Sequence, residues 1–509
     1  MQPFDFFVRG ARLAPQRCAV IEPASGRSLT HGELLAQSRA LAVAFQDLAA
    51  KRRPVVAILA GNSIEMLTGI LATYASAGVL VPLTPTLVEK DIARQLDCVK
   101  PDLVLFDPAY KDLLVSYHGQ RISTAARADH VETVARLVGR YAATMPTRSN
   151  VYLAETVAIK FTGGSSGAPK GVLQSFRCIN TMVASLMMVY GFDADERFVV
   201  APPMTHGAGT FVLPVLGAGG CLIVMNKPSA AQLHEVLHAQ RATSTWIPPT
   251  LLHKLLEVQK TAQAEFPALR NLLYGGAPCT LNLIRETIAH FGPVLGATYG
   301  LTEAPVIMAG LTGAEGALPE NQGSAGRVGP LACVAVLDAD GRVDMTPGKP
   351  GEIIVSGDLL MSGYLNMPEQ TRTVLRDGWF HTGDLGYVDE RGFVFIKGRS
   401  KDVVISGGFN VYPSDVEEVY AQHEHVAECL VFGVADEVWG ERVEMAVVPI
   451  PGKGIQEADL IAYGKQHLGS VRTPKAIHFM DHFPKNELGK VNKRQIVDTV
   501  LGKHPQVET

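Results

Sequence analysis

The sequence lacks the features by which disulfide-rich and zinc-binding proteins are recognised. Its 509 residues include only seven cysteines, and no two of them have the C-x-x-C spacing. An odd number of scattered cysteines argues against a disulfide framework or a zinc site, and it is typical of proteins in the reducing cytoplasm.

The chain also lacks an excess of basic charge and a long hydrophobic run. Its formal net charge of −4 gives no basic field that would attract nucleic acid. The longest strongly apolar run, residues 211–225, contains Pro214 and is short for a membrane span, so it predicts a buried helix followed by a strand. The amino terminus has no basic segment followed by an apolar one, so no secretory signal is predicted. We therefore expect a cytoplasmic protein that neither binds nucleic acid nor enters the membrane as an integral protein.

What the chain does contain predicts an α/β protein of at least two domains, because 509 residues are too many for one core. Helical and strand-like patterns alternate over the first 106 residues, which indicates parallel sheets covered by helices. The helical segments are 31–48, 64–77 and 89–98, and the strand segments are 55–59, 79–82 and 103–106. Residues 119–150 are less regular and predict a surface connection.

The second half of the chain changes in character twice. Residues 324–398 are rich in glycine and β-branched residues, which predicts a small antiparallel barrel or distorted sheet. The last hundred residues predict a small α/β domain, whose first helix would be capped by Ser414 and Glu417 in a capping box. We expect a large N-terminal domain at 1–400, with a β-barrel-like subdomain at about 324–398, and a smaller mobile domain at 401–509.

A loop rich in glycine and serine is the most distinctive segment. Residues 161–172 are FTGGSSGAPKGV, after an apolar stretch that predicts a buried strand. Glycines let backbone N–H groups approach an anion, and hydroxyls and a lysine add donors and charge. A polyphosphate ligand is therefore predicted, although the composition also fits a flexible connector. The loop is not a Walker motif, because Pro169 precedes the lysine and Gly171 follows it. The predicted ligand-binding residues are Thr162, Gly163, Gly164, Ser165, Ser166, Gly167 and Lys170.

The segment YGLTE at residues 299–303 combines an aromatic ring, a hydroxyl and a carboxylate within five residues. Tyr299 can stack on a purine, and Thr302 can donate a hydrogen bond to a phosphate. Glu303 offers the oxygen ligand that Mg²⁺ prefers when the ion also contacts substrate phosphates. The segment therefore predicts part of a site for a magnesium nucleotide.

Four other positions have ordinary interpretations when each is taken alone. His206 lies in PPMTHGAG, on an irregular turn, where a structural histidine is as plausible as a functional one. Gly276 lies in a strand-to-helix turn, and Asp384, within TGDLG, occupies a position at which turn aspartates are common. Arg399 has the planar fork that suits ribose or phosphate oxygens.

Taken together and in this order, the motifs resemble those of the adenylate-forming superfamily, which includes acyl- and aryl-CoA synthetases, peptide-synthetase adenylation domains and beetle luciferases. The resemblance spans essentially the whole chain, and FTGGSSGAPKGV is similar to the family's phosphate loop. SGGFNVYPSDVE, VWGERVEMAVV and PKNELGKV resemble benzoate- and chlorobenzoate-type CoA ligases. The resemblance implies an acid–thiol ligase that uses ATP, Mg²⁺ and coenzyme A.

The resemblance also implies a role for individual residues in the first reaction, adenylation. Catalytic roles fall to Lys490, Glu303, Thr302 and His206, with Glu303 as the metal ligand and His206 bordering the acyl pocket. Gly276 and Ala277 would line the adenine and acyl pockets, and Tyr299 would lie against the base. Asp384 would bind the ribose hydroxyls together with Arg399.

For the second reaction, the resemblance implies a rotation of the C-terminal domain about Lys401. The rotation would remove Lys490 from the site and bring in the turn at Gly408, beside which the pantetheine arm would pass. Trp439 would lie against the nucleotide of CoA.

Several alternatives stay open at this point. The stretch 471–475 lacks an aromatic and a basic residue often found there in CoA ligases, so a stand-alone adenylase that loads a carrier protein is an alternative. A non-catalytic acyl- or nucleotide-binding protein and a luciferase-type oxygenase are others. The stretches predicted to line the acyl pocket, 203–211, 274–278 and 299–307, are small and apolar and contain no unpaired cation. This favours an acid with an uncharged aromatic or aliphatic tail over a dicarboxylate or an amino acid. A homodimer is expected only from the family.

Overall fold

The computed structural model describes residues 1–128, 131–162, 170–338, 340–437, 439–485 and 491–502. The α-helices of these ranges are α1 Pro3–Leu13, α2 His31–Leu48, α3 Ile64–Ala75, α4 Glu89–Val99, α5 Val134–Arg140, α6 Phe176–Tyr190, α7 Val212–Ala218, α8 Ala230–Ala239, α9 Pro249–Ala262, α10 Leu281–Phe291, α11 Gly313–Gly316, α12 Pro368–Val374, α13 Pro413–Tyr420, α14 Glu457–Arg472 and α15 Lys493–Val500. The strands are β1 Cys18–Glu22, β2 Arg27–Thr30, β3 Val55–Leu59, β4 Val79–Pro82, β5 Leu103–Phe106, β6 Gln120–Ser123, β7 Glu132–Thr133, β8 Thr156–Phe161, β9 Gly171–Ser175, β10 Arg197–Val200, β11 Cys221–Val224, β12 Ser244–Ile247, β13 Asn271–Gly275, β14 Leu295–Tyr299, β15 Ala309–Leu311, β16 Gly326–Val328, β17 Cys333–Leu337, β18 Val343–Asp344, β19 Gly351–Ser356, β20 Gly363–Tyr364, β21 Leu375–Arg376, β22 Trp379–Val388, β23 Phe393–Arg399, β24 Val404–Ser406, β25 Phe409–Val411, β26 Val426–Asp436, β27 Gly440–Pro449 and β28 Ala476–Phe479.

Eight strands form a sheet in the order β20-β9-β8-β4-β3-β5-β6-β7. All neighbours from β8 to β7 are parallel, whereas β8, β9 and β20 pair antiparallel. The central strand β3 is apolar throughout, and its Val56, Ile58 and Leu59 are fully buried. Continuous apolar strands of this kind are buried on both faces in parallel sheets. The prediction of parallel strands and covering helices in the first 106 residues is confirmed.

Two expectations for this region are wrong in detail. The connection expected at 119–150 contains β6, β7 and α5, and the two strands extend the sheet. Strand β6 has four residues, of which only Ile122 is apolar, and β7 has two polar residues, so neither has an apolar run. Helix α3 ends at Ala75, two residues earlier than expected, and Ala77 just beyond it has a left-handed φ of 53°, which a continuing helix cannot adopt.

The larger sheet has 15 strands and joins a parallel half to an antiparallel half. The strands β1, β11, β10, β12, β13 and β14 are parallel in that order. Beyond β14 the order continues antiparallel through β15, β16, β23, β22, β19, β17 and β18. The glycine-rich region therefore forms antiparallel strands as expected, and it extends the sheet that carries the parallel strands.

One large hydrophobic cluster connects the two sheets. It includes Ile58 of β3, Phe198 of β10, Leu67 of α3 and Leu186 of α6, all of them fully buried. Burial of one such side chain contributes roughly 1.5–3 kcal/mol. The cluster therefore holds the strand ends of the two sheets in a fixed relation, and the candidate site is assembled from those ends.

The apolar run at 211–225 folds as predicted into helix α7 followed by strand β11. Every residue of both elements is buried in the chain's own core. Across the described residues, no helix combines the length and the apolar character that crossing a bilayer requires.

The last hundred residues contain a separate five-stranded sheet in the order β25-β24-β27-β26, with β28 beside β27. Its core cluster includes Val416 and Tyr420 of α13, Leu460 of α14 and Val443 of β27. This arrangement matches the small α/β unit that the sequence predicts. The position of the domain boundary near residue 400 stays a prediction.

The predicted capping box at Ser414 and Glu417 is wrong. Helix α13 begins at Pro413, so Ser414 lies inside its first turn, where its hydroxyl donates a hydrogen bond to the carbonyl of Lys397. Glu417 accepts a hydrogen bond of 2.8 Å from the N–H of Val431. Proline is well suited to the first helical position, and tertiary partners occupy both side chains that the local pattern paired.

Candidate active site

The glycine- and serine-rich segment connects the antiparallel strands β8 and β9. Phe161 pairs with Gly171 at the end of this hairpin, and the N–H of Thr162 donates to the carbonyl of Lys170 at 3.0 Å. Thr162 and Lys170 are thus neighbours at the base of the loop. Gly163, Gly164, Ser165, Ser166 and Gly167 lie outside the described residues, as does Lys490.

Lys170 and Glu303 are brought together by a tyrosine that the motif analysis missed. The amine of Lys170 lies 4.9 Å from the ring centroid of Tyr364, and the Tyr364 hydroxyl donates to Glu303 Oε1 at 2.8 Å. Tyr364 belongs to β20, which pairs with β9 beside the loop. Burial, with the charge of Glu303, raises the pKa of the Tyr364 phenol, so it stays a donor. A two-residue strand 61 positions from Glu303 carries no local signal of this contact.

The YGLTE segment is fixed from two sides. The amide of Gln174 on β9 donates to the carbonyl of Thr302 at 2.9 Å, and the N–H of Met361 donates to the carbonyl of Glu303 at 2.8 Å. These contacts hold the backbone of Thr302 and Glu303 against the hairpin that carries the phosphate loop. The predicted phosphate-binding and metal-binding segments therefore lie side by side.

Asp384 forms the centre of a second cluster. It accepts a hydrogen bond of 2.6 Å from the Tyr299 hydroxyl and an ion pair of 2.7 Å from Arg399 Nε. Its side chain is only 7% exposed, whereas that of Arg399 is 44% exposed. Burial and the neighbouring negative charge of Asp384 raise the pKa of Tyr299, which therefore remains a hydrogen-bond donor.

The strand pairing explains this second cluster. Asp384 lies in β22 and is directly opposite Arg399 at the end of β23. Opposite charges at directly paired positions stabilise an antiparallel ladder. The ordinary alternative for Asp384, a turn aspartate, is wrong, because Gly383 and Asp384 continue the ten-residue strand Trp379–Val388. The ribose-binding role that the motif favours stays a prediction.

His206 lies on the predicted irregular turn, immediately before a short 3-10 helix, Gly207–Phe211. Its Nδ1 contacts the hydroxyl of Thr205 at 2.7 Å, and its Nε2 contacts the hydroxyl of Thr84 at 3.3 Å. Thr84 follows strand β4 of the smaller sheet. The histidine thus connects turns at the strand ends of both sheets.

Trp246 is a further residue of this region that the motif analysis did not single out. A Cβ placed on Gly207 would lie 2.5 Å from its ring, and one on Gly276 would lie 3.7 Å from it. The ring is buried, and its Nε1 donates to Thr298 Oγ1 at 2.9 Å. Trp246 therefore forms a wall between the histidine turn and the turn that contains Gly276 and Ala277. A tryptophan in an otherwise ordinary strand was the only sequence signal.

The residues expected to meet CoA form a group on the C-terminal sheet. A Cβ on Gly407 would lie 2.8 Å from the ring of Trp439, and Gly408 has a φ of +82° with open space at its Cβ position. The amine of Lys475 lies 5.3 Å from the Trp439 ring centroid. Phe409 is 63% exposed beside them. Lys401 lies apart, in the short 3-10 helix Ser400–Asp402 that connects β23 to β24.

The chain is similar in sequence to known proteins. Residues 7–365 match the family described as AMP-binding enzyme, and residues 415–490 match the AMP-binding enzyme C-terminal domain. A medium/long-chain-fatty-acid–CoA ligase of Mycobacterium tuberculosis is 36% identical, over 67% of this chain and 61% of that protein. A feruloyl-CoA synthase of an Amycolatopsis species is 31% identical, over 96% of this chain and 97% of that protein.

A solved structure extends the comparison to three dimensions. The amide bond synthetase of Marinactinospora thermotolerans superposes with a TM-score of 0.88 at 28% identity, covering 98% of this chain and 99% of that one. The predicted fold, with a large N-terminal and a smaller C-terminal domain, is thereby confirmed, as is the resemblance to adenylate-forming enzymes. The chain belongs to the AMP-binding enzyme family.

Proposed function

We propose that this chain joins an aromatic or aliphatic carboxylic acid to coenzyme A in two steps at one site. The acid first reacts with ATP to give an acyl-adenylate and pyrophosphate, and the thiol of CoA then displaces AMP. The observation that carries the proposal is the contact of Lys170 and Glu303 through Tyr364 beside the phosphate loop. Similarity over nearly the full length to a protein named feruloyl-CoA synthase supports the choice of acceptor.

In the first step, a carboxylate oxygen of the acid attacks the α-phosphorus of ATP, and the bond to the pyrophosphate oxygen breaks. Negative charge builds up on the leaving pyrophosphate, so the reaction needs positive charge and donors around the phosphates. The ammonium of Lys170, the hydroxyl of Thr302 and the loop N–H groups would supply them. Lys490 would act on the oxygens around the reacting phosphorus.

The residues present suit a magnesium ion bound together with substrate phosphates. Glu303 offers a carboxylate, one oxygen of which already accepts from Tyr364 at 2.8 Å. Mg²⁺ is commonly held by one or two carboxylates plus phosphate oxygens. When bound there, the ion would neutralise charge on the leaving group, while Tyr364 keeps the carboxylate oriented.

Asp384 is proposed to bind the two ribose hydroxyls of the adenosine. Its carboxylate is buried and already oriented by Tyr299 and Arg399 at 2.6 and 2.7 Å. A charged acceptor held in this way accepts strong hydrogen bonds from vicinal hydroxyls. Tyr299 would at the same time present its ring to the base.

In the second step, the sulfur of CoA attacks the acyl carbon, and the bond to the AMP oxygen breaks. We propose that the domain beginning near residue 401 rotates about Lys401 and brings its own surface to the site. Gly408, with open space at its Cβ position, would let the pantetheine arm pass close to the backbone. Trp439 and Lys475 would contact the nucleotide of CoA.

The decisive experiment measures pyrophosphate release from Mg-ATP across a panel of carboxylic acids, with and without CoA. Acid-dependent release and an acyl-CoA product are expected. An adenylate that CoA leaves unchanged would point to a carrier protein, or to an amine as in the named amide bond synthetase. No release with any acid would favour a non-catalytic binding protein.

Oxygen uptake or light emission tests the oxygenase alternative, and sedimentation tests the expected homodimer.

A further inference from the structure

A partly buried lysine lies outside the three stretches that the sequence assigns to the acyl pocket. Lys160 is the fifth residue of strand β8, between Ile159 and Phe161. Those two side chains pack into the outer cluster of the smaller sheet, whereas Ala158 belongs to the central cluster between the sheets. Since side chains alternate along a strand, Lys160 points into the centre of the protein.

Lys160 lines an enclosed cavity of about 20 Å³. A volume of this size holds about one water molecule. The walls are almost entirely apolar and include three methionines, Met66, Met182 and Met204, whose flexible side chains can repack to widen the space. Among the described residues that line the cavity, none is Asp or Glu.

The cavity adjoins the turn that carries His206. Met204 and Gly209, on either side of the histidine in sequence, both line the cavity, as does Pro82 at the end of β4. Thr84, two residues beyond Pro82, contacts His206 Nε2 at 3.3 Å. The cavity therefore lies directly behind the residue proposed to border the acyl pocket.

Two hydrogen-bond donors line this apolar space without a protein acceptor among the described residues. One is the amine of Lys160, and the other is the hydroxyl of Tyr74, a residue that is only 6% exposed. Burial lowers the pKa of Lys160 to about 8 and raises that of Tyr74, so both still carry donor protons at neutral pH. Buried donors normally have partners, and an ammonium most of all.

We propose that Lys160 and Tyr74 form the inner end of the acyl pocket and bind a second carboxylate at the far end of the acid substrate. This inference rests on the proposed function and narrows its substrate to dicarboxylic acids. An oxygen of the distal carboxylate replaces the water for which the cavity has room, and the methionines adjust around the rest of the group. Two donors, with no carboxylate among the described lining residues, select an anion over an alkyl end.

The test compares pairs of acids of equal length, one with a methyl end and one with a carboxylate end, in both aliphatic and aromatic series. Formation of the CoA thioester is measured with the wild type, Lys160→Met, Tyr74→Phe and the control Met188→Leu, an exposed position of the same helix as Met182. A charged hydrogen bond changes affinity by roughly 10- to 100-fold. We expect the wild type to favour the best diacid by at least tenfold in kcat/KM. Lys160→Met should lose this preference, mainly through KM, while keeping its activity on the monoacid.

A second readout does not depend on turnover. The best diacid should raise the melting temperature of the wild type and of Met188→Leu but not that of Lys160→Met, because ligand binding stabilises only the protein that binds it. Tyr74→Phe should lose part of the shift. If the wild type preferred the monoacid in every pair, the inference would be overturned while the proposed CoA ligase activity would stand. The same holds if Lys160→Met lost equal activity on the diacid and on the monoacid. No thioester from any acid would remove both proposals.

Discussion

At the scale of single residues, the candidate site consists of charges whose partners come from distant parts of the chain. Asp384 is buried between Tyr299 and Arg399, and Glu303 is held by Tyr364. Each carboxylate already has an oriented donor in the protein, so little reorganisation is needed when a nucleotide binds.

The first prediction concerns Asp384→Asn. The amide keeps the shape of the side chain but lacks the negative charge. It therefore accepts weaker hydrogen bonds from the ribose hydroxyls and no longer forms an ion pair with Arg399, so the KM for ATP should rise roughly 10- to 100-fold. Steady-state pyrophosphate release at varied ATP measures this. Asp377→Asn, at an exposed position just before the same strand, serves as the control and should leave the KM unchanged. Equal effects of the two substitutions would rule out the proposed ribose contact.

The second prediction concerns the pH dependence of stability that Lys160 causes. Its pKa is about 8 in the folded protein against an ordinary 10.5, so the unfolded chain binds more protons between these pH values. Relative to a variant without the lysine, the free energy of unfolding should therefore rise by about 2 kcal/mol from pH 8 to 10.5, and the full cost of burying the charge is present below pH 8. Burial raises the pKa of Cys178 to about 12 and raises that of Tyr74, so in the unfolded chain these neighbours ionise within the window and lower the free energy of unfolding. The contribution of Lys160 is therefore the difference between the wild type and Lys160→Met.

Urea unfolding of the wild type and of Lys160→Met at pH 8 and pH 10.5 measures the contribution of Lys160 to the free energy of unfolding. Lys160→Met should be the more stable protein at pH 8, because it lacks the uncompensated charge, and its advantage over the wild type should shrink by about 2 kcal/mol at pH 10.5. Parallel pH profiles for the two proteins would show that the amine is not desolvated in the fold.

At the scale of elements, tight turns place the functional groups, and some of them tolerate no added side chain. Gly209 is the sharpest case, because a Cβ there would lie 1.9 Å from the carbonyl oxygen of Met204 across the turn that carries His206. Real Cβ contacts are never so short, so the turn would have to open.

The third prediction is that Gly209→Ala destabilises the protein by about 2 kcal/mol and lowers activity, because overpacking at the turn displaces His206. Thermal unfolding and thioester formation measure the two effects. The matched control is Gly139→Ala in helix α5, where a Cβ meets nothing within 4 Å. That substitution should stabilise by about 0.5–1 kcal/mol, since alanine is the better helix former. A neutral Gly209→Ala would contradict the packing described for the turn.

At the scale of the whole molecule, two long sheets share a core, and a third, smaller sheet follows residue 403. The amine of Lys397 contacts Asp415 at 3.1 Å, and Ser414 donates to the Lys397 carbonyl, so the region around the proposed hinge joins the larger part to helix α13. A rotation about Lys401 has to break or rearrange such contacts.

The fourth prediction is that two residues of the C-terminal region each serve only one of the two reactions, Lys490 the adenylation and Trp439 the thioester formation. Lys490→Ala should reduce adenylation by at least about 100-fold, yet still form thioester from a synthetic acyl-adenylate, since the lysine acts only on the first step. Trp439→Ala should keep adenylation but impair thioester formation, with a KM for CoA that is roughly tenfold higher. Single-turnover assays of each half-reaction measure both. If Lys490→Ala abolished thioester formation as strongly as adenylation, the two-orientation proposal would be wrong.

The sequence by itself determined the alternation of helices and strands, the strand that precedes the glycine-rich loop and the order of the motifs. These features depend on short-range periodicity and on glycine spacing, which adjacent residues carry in full. Only the tertiary structure decided that Tyr364 connects Lys170 to Glu303, that Ser414 bonds to Lys397 instead of capping its own helix, and that Lys160 faces a cavity behind His206. Such contacts can join residues more than 100 positions apart, as Lys170 and Tyr364 are. Their free energy depends on how the sheets pack around one core. No local pattern encodes that packing, and it is what turned separate motifs into one site.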